Sequence, residues 1–63
     1  MSASELTPLQ AYADAIHTWQ TAHEDHERAV QRGSPAAVEA AFVRLEAAQT
    51  ALNAARRAAR QAQ

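Results

Sequence analysis

Arg32-Gly33-Ser34-Pro35 decides how this chain is read. The stretch lies near the midpoint of 63 residues and holds the single glycine and one of the two prolines. Arg32 places a cation at the C-terminal pole of a preceding helix dipole, and Gly33 can take the left-handed conformation that ends a helix without steric cost. Ser34 is an N-cap type, and Pro35 is pre-set for the first position of a new helix. A helix stop followed at once by a helix start leaves almost no linker, and so short a link makes its two helices antiparallel neighbours. The expected fold is all-α, an antiparallel two-helix hairpin (αα-hairpin) in one domain over residues 1–63.

Working outward, Thr7-Pro8-Leu9-Gln10 starts the first helix. Thr7 is the N-cap, Pro8 the first helical residue, and Gln10 closes a capping box. The first helix is expected over residues 8–32, the turn at 33–34, the second helix over 35–61, and a frayed N-terminus over 1–6. Leu6 stands where a hydrophobic staple would begin. Apolar, aromatic and histidine side chains in the first helix recur at Leu9, Tyr12, Ile16, Trp19, His23, His26 and Val30, in alternating steps of three and four. That spacing is a heptad seam. Its flanking positions Ala15, Ala22 and Ala29 are all alanine, which lets a neighbouring backbone approach closely. Asp14, Thr18, Thr21, Asp25 and Arg28 fall on the opposite, solvated side.

The second helix keeps the period with Val38, Ala41, Leu45, Ala48, Leu52 and Ala55, where Val38, Leu45 and Leu52 are the bulky members. Folding about residues 33 and 34 sets Val30 by Val38, His26 by Ala41, His23 by Leu45, Trp19 by Ala48, Ile16 by Leu52 and Tyr12 by Ala55. Large rings then meet small methyls, as dense packing requires. A second stripe, Ala40, Val43, Ala47, Ala51 and Ala54, with Phe42 between it and the first seam, is left uncovered by this pairing; together these six are the expected oligomer face.

Composition limits the function. A chain this short buries only about 60% of the surface that its unfolded form exposes, and without cysteine it has no disulfide to compensate. Oligomerisation is the device left, so a homodimer forming a four-helix bundle is expected, with docking of a partner protein helix as a further possibility. Eighteen alanines and six arginines without lysine fit GC-rich coding, and small bacterial or phage assembly factors have this build. Net charge is −1. Residues 1–32 carry five acids against two arginines, and residues 33–63 carry four arginines against two acids. Arg56, Arg57 and Arg60 could contact phosphates, but their nearer role is at the C-terminal helix dipole beside Glu5 and Asp14, so nucleic acid is disfavoured.

His23 and His26, with Glu27, are the candidate metal ligands, since two imidazoles three residues apart project from one helical face. The paired Glu-x-x-His motif of di-iron bundles is missing, so no cofactor is expected. No phosphate loop or nucleophile-base motif is present, and the expected protein is not an enzyme. The opening residues lack the basic start and apolar core of a signal peptide, and no apolar run reaches the roughly 20 residues of a membrane span, so a cytoplasmic location away from membranes is expected. The leading expectation is a self-associating module for protein-protein interaction or assembly. A nucleic-acid regulator using the C-terminal arginines and a metal- or ligand-binding bundle at His23 and His26 are the alternatives.

Overall fold

A computed structural model describes residues 7–62. Two helices account for nearly all of them: α1, Pro8–Arg32, and α2, Pro35–Gln61. They pack against each other as a hairpin, with no strand among the described residues. The expected frayed segment 1–6, including Glu5 and Leu6, lies outside the described residues.

Local chemistry sets both ends of α1. The Thr7 hydroxyl accepts from the Gln10 backbone N–H at 3.1 Å, and the Thr7 N–H donates to Gln10 Oε1 at 3.2 Å. This reciprocal pair satisfies donors that an uncapped helix leaves open. At the other end Gly33 adopts φ 77°, ψ 16°, and its N–H reaches the carbonyls of Ala29 and Val30, both at 3.1 Å. Any residue with a Cβ would be strained there. Ser34 then caps α2, accepting from the Ala37 N–H at 3.4 Å, ahead of Pro35.

The helices meet through alanine. The buried residues are Ala22 and Ala29 of α1 and Ala41, Ala48 and Ala59 of α2, with Ala41 only 1% exposed. Ala22 shares a groove with Ala48, and Ala29 shares one with Ala41. Ala41 and Ala48, the methyls expected opposite His26 and Trp19, are thus among the buried residues. Small side chains along this line let the two backbones come close, with the larger, half-buried side chains beside them. Tyr12, Ile16, Trp19, His23, His26, Val38, Leu45 and Leu52 are all half-buried. Leu9 and Val30, expected within the seam, are 58% and 52% exposed.

The molecule is therefore one helix layer deep. Its extents are 46 × 22 × 13 Å, the smallest close to the diameter of a single helix with its side chains. No side chain larger than alanine is buried among the described residues.

Candidate interaction face

Successive helical residues turn by about 100°, so α1 carries Tyr12, Ile16, Trp19, His23, His26 and Val30 on the arc beside its alanine contact line. On α2 the matching arc carries Val38, Phe42, Leu45 and Leu52. The turn makes the helices antiparallel, and that brings the two arcs to the same side of the hairpin. Contacts bear this out: the His26 and Phe42 rings lie 6.0 Å apart at 52°, and His26, Val30, Val38 and Phe42 line one groove next to the turn. The result is one broad face of rings and branched side chains, here called the ring face.

Phe42, expected on the oligomer face between the alanine stripe and the first seam, lines its groove with seam residues His26, Val30 and Val38. It stands four residues after Val38 and three before Leu45, a spacing that assigns it to their row. The five members of that stripe lie elsewhere. Ala47 and Ala51 line a groove with His17, Thr18, Thr21 and Asp25 on the reverse side, and Ala40 lines another with Asp25, Arg28, Arg32 and Arg44. Val43 is 59% exposed, Phe42 47%, and Ala54 is exposed. The reverse face is thus alanine mixed with hydroxyls and charge, whereas the ring face holds nearly all the large apolar surface.

Within the ring face, Trp19 stacks on His23 with centroids 5.1 Å apart and planes 25° from parallel. Its indole Nε1 is buried without a hydrogen-bond partner among the described residues, an omission that costs about 1–3 kcal/mol for a neutral donor. No sequence signal marks that orphan, because it depends on the rotamer. Glu27 is the acid nearest His23, with Oε2 4.0 Å from Nε2, beyond hydrogen-bond length. Among the described residues no group of three or more histidine, cysteine or acidic side chains is gathered as a metal site would need.

Charge pairing across the hairpin was expected to involve Glu5, outside the described residues, and Asp14. The ion pair among the described residues, Arg28 with Asp25 at 3.1 Å, lies within α1, as does the approach of Glu27 to His23. Asp14 is exposed and joins neither. Arg56, Arg57 and Arg60 line a shallow recess with Asn53 at the open end of the hairpin, where the Asn53 carbonyl accepts from Gln49 at 3.2 Å and from Arg56 at 3.4 Å.

No helix among the described residues is long and apolar enough to cross a membrane. Comparison with protein-family models, curated proteins and solved structures finds no match to the chain.

Proposed function

We propose that the protein is a non-enzymatic, self-associating helical-hairpin module that works in protein-protein interaction or assembly, and that two copies join through their ring faces into a four-helix bundle. One observation carries this reading. The hairpin buries only alanines within itself and leaves its large apolar side chains half-covered along a single face. Each buried methyl contributes about 0.8 kcal/mol, and two helices held by so few are marginal alone. A second layer would bury Tyr12, Ile16, Trp19, Leu45 and Leu52 and turn a one-layer sheet of helices into a bundle with a core. This replaces the alanine stripe of α2 as the favoured oligomer face.

Adjacent residues give a sharp test. Phe42→Glu places a carboxylate on the ring face, whereas Val43→Glu places it one 100° step away. Sedimentation should give a monomer mass for Phe42→Glu and an unchanged dimer mass for Val43→Glu. Dissociation by Val43→Glu alone would assign the contact to the alanine side instead.

A further inference from the structure

The ring face has a charge polarity along its length. At the turn end, Glu27 lines a recess with His23, His26 and Val30, and Glu39 lines the adjoining groove with Val38 and Phe42. At the open end, Arg56 and Arg60 continue the row begun by Leu45 and Leu52 at helical spacing, and Arg57 stands beside them in the same recess. Acids thus border one end of the apolar surface and arginines the other. None of these three arginines pairs with an acid of the described residues.

Resting on the self-association proposed above, we infer that the occupant of the ring face is a second copy docked end over end, the turn of each hairpin lying on the open end of the other. Two copies placed face to face about a two-fold axis have two choices. With both turns at one end, Glu27 and Glu39 of the two copies crowd together, and the arginines crowd at the far end. With turns at opposite ends, α2 lies along the other copy's α2, so Glu39 meets that copy's arginines and Glu27 is moved away from the other copy's acids. The apolar side chains serve either arrangement, so the charges at the ends select between them, through repulsion in one as much as attraction in the other. The area suffices: about 40 Å of paired helix, 22 Å wide, presents roughly 900 Å², against the roughly 800 Å² per partner of a stable interface.

Ala36 is exposed, lies one residue inside α2 beside the turn, and can become the sole cysteine of the chain. The Ala36→Cys protein, spin-labelled, should sediment as a dimer with an inter-label distance of roughly 40 Å, set by the helix length. A dimer with labels roughly 20 Å apart, the width of two adjacent helices, overturns the end-over-end arrangement and leaves self-association standing. A monomer at every concentration overturns both. The charges are tested separately. Glu27→Arg with Glu39→Arg should weaken dimerisation by about tenfold, and adding Arg56→Glu, Arg57→Glu and Arg60→Glu should restore it. Failure of that restoration, in a dimer that still forms, removes the charges as the selecting element.

Discussion

Trp19 is the residue whose environment is least settled within one hairpin. Its ring is half-buried against His23, yet its N–H points into protein and finds no acceptor among the described residues. Since that donor makes no bond, removing it forfeits nothing polar, and the ring itself carries the contribution. Trp19→Phe should therefore keep the assembly, with stability within about 1 kcal/mol of the parent, while Trp19→Ala should lose about 3 kcal/mol or more by denaturant unfolding. Equal losses in the two variants would show that the indole N–H is bonded in the assembled protein. His23 and His26 are half-buried as well, and among the described residues neither imidazole has a carboxylate within hydrogen-bond reach. Polar groups at such positions weaken an apolar contact while fixing its register.

At the scale of the elements, helix boundaries were legible because they depend on neighbours in sequence. Thr7 with Gln10, and Gly33 with Ser34 and Pro35, fix both ends of α1 and the start of α2 through bonds spanning three or four residues. The contact between helices was read less well. Periodicity locates the centre of an apolar arc, but that arc can face one neighbour or straddle two, and the pattern is the same in both cases. In α1 the arc straddles: Ala22 and Ala29 are buried at its edge, and Tyr12, Trp19 and His23 are half-buried beside them. The run of alanines at 15, 22 and 29 was the available signal, since close backbones need small side chains in register. An enlarged side chain on this line should push the helices apart. Ala48→Leu is expected to destabilise by about 1–3 kcal/mol, whereas Ala47→Leu, one step round on the exposed side, should stay within about 0.5 kcal/mol. Equal effects in chemical denaturation would place the contact line elsewhere.

For the whole molecule the governing fact is its depth of 13 Å, a single layer. A layer of two helices has two faces, and only the edge between the helices is shielded by the hairpin itself. Its reverse face can stand in water, because Thr18, Thr21, Asp25, Arg28 and Arg44 interrupt the alanines there. The ring face is interrupted between its charged ends by Gln20, Gln49 and the two histidines, and carries no charge there comparable to Asp25, Arg28 and Arg44. If folding is completed only by pairing, stability must depend on protein concentration, since mass action favours the dimer over unfolded chains. Each tenfold rise in concentration should then raise the melting temperature by roughly 5 °C, the shift expected for a folding unit of two such chains. Helix content followed by circular dichroism should fall on dilution in step with the sedimented mass, and Phe42→Glu should flatten both dependences. A melting temperature independent of concentration, with full helix content in a monomer, would mean that the alanine line alone holds the hairpin together.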